Sequence, residues 1–380
     1  MSEMLPILLG GLFWGFLTER STHGIYGVHK QHRGNQLAFA MLVLSLALPI
    51  AMRTYYNDTY IYISNFVKGE TLPELLAGGS LHLLRNPAFA VYSALVRTFT
   101  DNHGIFFLFP ALFVQYSYMR FVRRHCQSLV LGVLLYFCLG TYVFSLGAMK
   151  QTIAMALLLY ATDYLMEHNY KKFGLLVFLA FLFHTYALVF LLLPLFTNKP
   201  WTLRTFGLLG VIVLCMINFE DVIYSFLEIL NEGGKSVSDT EIIGTAGINP
   251  LRVAVYAVVP LFALVFRRYL FYGRECREYS ILVNMSILCV SIMSIGLVSA
   301  ANMFARMGQY FEFGVICSLP WMLEKPFEKS STRLVTLLAA GCFVVYFIYS
   351  NVFWAPFDPN FTRSTLMEYL STIWMDIIYG

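Results

Sequence analysis

An all-α polytopic membrane protein is the fold class this sequence predicts, and three observations predict it. Hydrophobic residues make up 58% of the chain and charged ones only 13%. The mean hydropathy is +0.66. Separate apolar stretches recur along the chain, several near the roughly 20 residues a helix needs to cross a hydrocarbon core of about 30 Å. This composition leaves no room for a soluble domain of any size, and residues 1–380 are read as one integral membrane domain.

Taken in order, the predicted membrane segments are 4–18, 37–52, 104–119, 129–146, 150–166, 173–196, 205–226, 252–266, 280–298, 305–323 and 334–354, eleven in all. The first lacks the basic leader and small-residue cleavage site of a signal peptide and is read as a retained helix. The longest polar stretch, 53–103, is rich in aromatics and broken by Pro73, Gly78, Gly79 and Pro87. It predicts a large external loop with short helices, and 355–380 a C-terminal tail. The cysteines at 126, 138, 215, 276, 289, 317 and 342 show no CxxC or CxxH spacing and fall mostly inside apolar runs. They read as small hydrophobes, with no metal site and no disulfide. A formal net charge of +4 fits loop cations facing anionic lipid and calls for no nucleic acid. There is no internal repeat and no glycine-rich phosphate loop.

His184 lies at the middle of the 173–196 run. An imidazole at hydrocarbon depth is costly unless it faces protein or water, so it is a functional candidate by default. Its position also poses a topological choice. If 173–196 crosses once and the N-terminus is outside, the 26 lysines and arginines divide as twelve inside and fourteen outside. That split carries no orientation signal under the positive-inside rule. If instead the run folds back at His184, making twelve segments, seventeen fall inside and nine outside. Each arm of about a dozen residues is then roughly 18 Å long, too short for a full crossing, so the hairpin is re-entrant. Non-helical backbone at that depth survives only against protein or a water-filled cavity, and His184 would mark the cavity floor. The other topology is a single crossing whose histidine bonds a neighbouring helix, with the parity error elsewhere, in 205–230.

Several polar residues gather toward the outside in the hairpin topology. Arg53 ends the second segment and leads into Tyr55, Tyr56, Asp58, Tyr60 and Tyr62. Lys150 and Gln151 open the fifth, and Arg306 opens the tenth with Tyr310 one turn along. Three cations, a carboxylate and a histidine at one level suit a polyanion, the cations offsetting phosphate charge and Asp58 or His184 handling a proton. Each member also has a plainer role. A lone arginine or lysine at a helix end most often snorkels to headgroups. Asp58 would be a solvated loop acid or the cap of a short helix beginning at Thr59. The tyrosines would form an interfacial belt, although such rings also stack on sugar faces.

These motifs bring a family into view. Arg53, Asp58-Thr59-Tyr60-Ile61-Tyr62, Lys150-Gln151, Phe183-His184 and Arg306-Met307-Gly308-Gln309-Tyr310-Phe311 occur in an order that resembles the EpsG-like, Wzy-type polysaccharide polymerases. The likeness spans about 40–325, is closest over 147–191, and leaves 357–380 unmatched. Lys150 stands where the family pattern favours arginine, which keeps the charge but loses the planar fork.

The resemblance implies a GT-C-like glycosyltransferase in the bacterial inner (cytoplasmic) membrane, multi-pass, with its active site facing outside. It implies polymerisation of an O-antigen, capsule or exopolysaccharide from undecaprenyl-pyrophosphate-linked oligosaccharide repeat units, with no cofactor and no metal. Arg53, Lys150 and Arg306 would hold the pyrophosphate, Asp58 or His184 would act at the acceptor, and Gln151, Tyr62 and Tyr310 would support them. Membrane lipids, a chain-length regulator and a flippase are the implied partners. Three other functions stay open. A lipid-linked glycan flippase or transporter would show symmetry between halves, which is not evident. An acyltransferase would pair His184 with an acid on a facing helix, and no second embedded acid is obvious, Asp163 and Glu312 lying near the inner ends or on faces the sequence does not define. A glycan ligase would share the chemistry.

Overall fold

The computed structural model of the protein describes residues 1–20, 35–78, 86–218, 248–271, 277–297 and 302–379. The end of the predicted 205–226 segment, Gly79, Cys276, and Lys30, Arg33, Arg85, Lys235 and Arg274 of the charge count lie outside the described residues. The described chain is mostly helical and divides into two compact units.

The first unit comprises 1–160, 178–185 and 337–380. In it α1 (Met4–Arg20) packs on α2 (Gln36–Ala51). From α2 the chain passes through β1 (Arg53–Tyr55) and the short helices α3 (Thr59–Val67), α4 (Leu72–Ala77) and α5 (Pro87–Phe99) to α6 (His103–His125). Helix α6 packs back on α2, and α7 (Leu129–Cys138) on α1. Because α1 is apolar on all sides, hydrophobicity does not select its packed face; small residues do. Gly11 and Gly15 are buried with Met4, Ile7 and Leu8, while Leu5, Leu9, Phe13 and Phe16 are exposed. A Cβ at Gly11 would already touch Leu46 Cδ2 at 3.2 Å. Helix α2 starts where Asn35 Oδ1 accepts from the amides of Leu37 and Ala38, and α6 ends on Arg123, Arg124 and His125, cations suited to the negative end of the helix dipole.

The predicted 129–146 segment is two helices, α7 and α8 (Thr141–Gly147), bent by 58°. Between them Gly140 has φ +83°, a conformation glycine adopts without the Cβ clash. Inside, Tyr136 Oη donates to Gln115 Oε1 at 2.9 Å and Gln115 Nε2 donates to Ser145 Oγ at 3.2 Å. Such bonds between helices replace the hydrophobic drive that hydrocarbon surroundings do not supply.

Helix α9 (Met149–Met166) and α10 (Tyr170–Phe183) follow, and the helical chain breaks at His184 before a 3-10 helix, Thr185–Phe196. The rings of Phe173 and Phe190 stack with centroids 6.2 Å apart. In one continuous α-helix those residues would be separated by about 25 Å. The chain therefore turns back near His184.

The second unit comprises 161–177 and 186–336. After α11 (Leu203–Ile217) come α12 (Pro250–Val265), α13 (Arg267–Phe271) and α14 (Arg277–Ile295), the last buried along nearly its whole length. Asn284 on α14 donates to the carbonyls of Phe196 and Asn198, at 2.6 and 2.7 Å, fixing the end of the 3-10 helix. The predicted 305–323 segment is two helices, α15 (Asn302–Gln309) and α16 (Glu312–Glu324), both packed on α14.

Among the described residues three helical runs are long and apolar enough to cross a membrane, α6, α14 and Lys329–Trp354, or up to four if the bent α7–α8 pair is one span. The run Lys329–Trp354 holds α17 (Lys329–Ile348) and a terminal π-helical turn, and exposes Leu334, Leu337, Leu338 and Val345. Other predicted segments occur as shorter apolar helices, among them α2, α12 and the 3-10 helix. The C-terminal stretch is ordered as β2 (Thr362–Arg363), which pairs antiparallel with β1, and α18 (Leu366–Tyr379). The ring of Tyr56 lies against Phe357 and Phe361, and Tyr369 Oη donates to Gly104 O at 2.9 Å.

Candidate active site

The chain leaves α2 at Ala51 and enters β1, with Arg53 against Phe107 in the N-terminal half of α6. Arg53 is 2% exposed. Its Nη1 donates to Ile50 O at 2.7 Å, its Nε to Thr59 Oγ1 at 3.2 Å, and its Cζ stands 3.9 Å from the ring centroid of Phe107. Thr59 Oγ1 in turn donates to Tyr56 O at 2.5 Å, so the guanidinium is wired into the turn that carries Asp58. It makes no ion pair among the described residues, and its Nη2 is buried there without a hydrogen-bond partner. Burial pushes Arg53 down to about 10, so the group remains charged at neutral pH. A small pocket lined by Arg53, Phe107, Ser145, Met149 and Thr152 opens beside it, with room for about one water-sized group.

Asp58 occupies the N-cap position of α3, yet its side chain makes no capping bond and is exposed. The short helix does begin at Thr59, but without a capping bond the solvated loop acid is the plainer reading that fits; the preceding Asn57 has φ +42°. The turn is held by a close approach to α8. A Cβ at Gly147 would come within 2.9 Å of Asn57 Nδ2 and 3.4 Å of Asn57 Cβ, so glycine is what lets the Asp58 turn settle there.

Lys150 and Gln151 sit in the first turn of α9, flanked by the pocket residues Met149 and Thr152. Gln151 is buried; Lys150 is half-buried with Nζ 5.0 Å from the Phe89 ring and 6.0 Å from that of Tyr62. Tyr62 also lies within electrostatic reach of Arg53. The first unit therefore brings together Arg53, Tyr62, Lys150 and Gln151, with Asp58 one residue from the Arg53 anchor Thr59. His184 belongs to the same unit and is half-buried at the helix break, its amide bonded to Ala180 O at 2.9 Å.

Arg306 and Tyr310 are carried by the second unit. They do not share one helical face: α15 ends at Gln309, Arg306 is exposed and Tyr310 is 1% exposed. Two glycines set this geometry. A Cβ at Gly308 would meet Cys289 O at 2.8 Å, and one at Gly314 would meet Leu282 O at 2.5 Å and Ser286 N at 2.7 Å, so both lie against α14 backbone. Between them Glu312 is fully buried and accepts a hydrogen bond from Tyr256 Oη. No local signal marks that bond, because the two residues lie 56 apart in sequence. Among the described residues no three of His, Cys, Asp and Glu gather as a metal site would require.

None of the curated proteins and none of the solved structures matches this chain. A family model does, over 36–369, which takes in Arg53, Asp58, Lys150, His184 and Arg306 and extends beyond 325 into the C-terminal stretch that showed no likeness by motif. On that match the chain belongs to the EpsG family.

Proposed function

We propose that this protein polymerises a surface polysaccharide at the outer face of the bacterial inner membrane, transferring a growing glycan from undecaprenyl pyrophosphate to a lipid-linked repeat unit. Membership of the EpsG family supports polysaccharide polymerisation. The observation that carries the finer reading is Arg53: a buried cation with no carboxylate beside it and an unpartnered Nη2 among the described residues. An uncompensated buried charge is expensive, and a phosphate oxygen of about the size of the adjacent pocket would supply the missing partner.

In the proposed reaction, the acceptor hydroxyl oxygen forms a bond to the anomeric carbon while the bond from that carbon to the pyrophosphate oxygen breaks. The electron pair leaves on the pyrophosphate, where Arg53 and Lys150 offset its charge. The hydroxyl proton passes to Asp58 or His184. Tyr62 offers a sugar-stacking ring, and Gln151 a polar contact. The turn at His184 is proposed to lie inside the bilayer as a re-entrant hairpin in a GT-C-like arrangement. Its α-helical arm of 14 residues is about 21 Å long, short of the hydrocarbon thickness.

Deleting the protein and sizing the surface glycan tests this reading. Collapse of the ladder to a single repeat unit is expected; complete loss of surface glycan with lipid-linked precursor retained inside would instead make the protein a flippase.

His184 gives a second test. As the proton acceptor, His184→Gln should keep wild-type protein levels and lose chain extension, because an amide bonds like imidazole but takes up no proton near neutral pH. Full-length glycan from the glutamine variant would leave Asp58 as the base. If His184 is a structural tie, His184→Ala strands a buried partner at about 1 to 3 kcal/mol and protein level falls with activity.

A further inference from the structure

The β1–β2 ladder pairs Arg53 with Arg363, with a register irregularity between Arg53 and Tyr55, and paired residues of antiparallel strands project on the same side. Two like charges in that relation destabilise the sheet unless something negative joins them. Glu3 partly does so: Arg363 Nε donates to Glu3 Oε2 at 3.0 Å. The pair is exposed, however, with side chains 31% and 40% accessible, and a surface ion pair of this kind contributes at most about 1 kcal/mol. Arg53 has no such partner among the described residues. Both guanidinium groups lie within electrostatic reach of Tyr142.

The segment that carries Arg363 is fixed to the β1 edge. Ser364 N donates to Met52 O at 3.0 Å, Ser364 Oγ to the same carbonyl at 3.2 Å, and the hydroxyls of Thr54 and Thr362 bond at 2.8 Å. Cross-strand pairing therefore sets a second arginine next to Arg53, with Glu3 the carboxylate bonded to it.

We propose that Arg363 is a second ligand for the anion held by Arg53, and that the ligand is a diphosphate ester, one cation serving each phosphoryl group. The assignment rests on the function proposed above. Two planar forks on a rigid ladder can each take two phosphate oxygens, a geometry that lysine does not reproduce.

The test uses the full chain in phosphatidylcholine nanodiscs, with binding of farnesyl diphosphate measured directly and inorganic pyrophosphate as competitor. Loss of one charge-assisted contact should weaken binding about tenfold to a hundredfold in Arg363→Gln. Glu3→Gln, which frees Arg363, should bind as tightly as wild type or more so. Equal losses in Glu3→Gln and Arg363→Gln would make Arg363 a brace for the N-terminal helix and overturn the proposal. So would an effect of Arg363→Gln seen only when phosphatidylglycerol replaces phosphatidylcholine, since the ligand would then be a bulk lipid headgroup. Wild-type binding in Arg363→Gln with binding lost in Arg53→Gln would sink the second-ligand role alone. Wild-type binding in both would sink the pyrophosphate reading of the site itself. Arg363→Met, which keeps the aliphatic stem on the strand, carries the same expectations should the glutamine variant fail to fold.

Discussion

Arg53→Gln is expected to lower polymerisation by about a hundred- to a thousand-fold, the range seen when one oxyanion-type donor is removed, while the protein accumulates normally. The second half follows from the charge accounting around Arg53. No carboxylate is stranded when the guanidinium goes, since Arg53 makes no ion pair among the described residues. Thr59 Oγ1 keeps its own bond to Tyr56 O, and glutamine retains a donor for one of the two former acceptors. Losing a desolvated charge also offsets part of the lost bonding. Arg53→Lys should rescue little, because Nε, Nη1 and Nη2 act in three directions and one ammonium on a flexible stem does not span them. Lys150→Arg, by contrast, should retain activity, as Lys150 stands among the rings of Tyr62 and Phe89, where a point charge or a planar one serves. Glycan ladders and protein levels from the same cells check all three. A fall in Arg53→Gln protein that tracks the fall in chain length would make Arg53 a tie between α2 and α3 and nothing more.

What the sequence discloses and what it withholds follow from the solvent. A charge in an apolar chain is conspicuous, so Arg53, Lys150 and His184 stand out in sequence, and His184 does fall at a helix break. The buried face of each helix is not legible, because a helix apolar all round has no periodicity to mark it. That is why Arg306 and Tyr310, four apart, read as neighbours on one face although the helix ends between them. The break at Gly140 is likewise hidden inside an apolar run. The β1–β2 ladder is out of reach of any local pattern: its strands have three and two residues, too few for alternation, and lie some 310 positions apart. Glu312 does not stand out as an embedded acid, and its partner Tyr256, 56 positions away, carries no local mark.

Gly314→Ala is expected to give the largest loss of folded protein among single methyl additions, at about 3 kcal/mol, the upper end for overpacking a close contact. The added Cβ would lie 2.4 Å from Met285 Cβ, 2.5 Å from Leu282 O and 2.7 Å from Ser286 N. None of these is the free end of a side chain, so relief requires α14 and α16 to separate, and in hydrocarbon the packing between them is what holds the pair together. Separation would also draw Glu312 away from Tyr256, exposing a buried carboxylate to a weaker bond. Gly308→Ala should cost less, since its nearest obstacle, Met293 Cγ at 2.6 Å, belongs to an adaptable side chain, although Cys289 O at 2.8 Å limits the escape. Gly341→Ala on α17 meets nothing within 4 Å and should be neutral or slightly stabilising through its better helix propensity. Thermal stability of the three variants in one detergent should fall in the order Gly341→Ala, Gly308→Ala, Gly314→Ala. A Gly314→Ala protein as stable as Gly341→Ala would mean that α14 and α16 do not meet backbone to backbone, and that Glu312 is positioned by something other than the glycines that flank it.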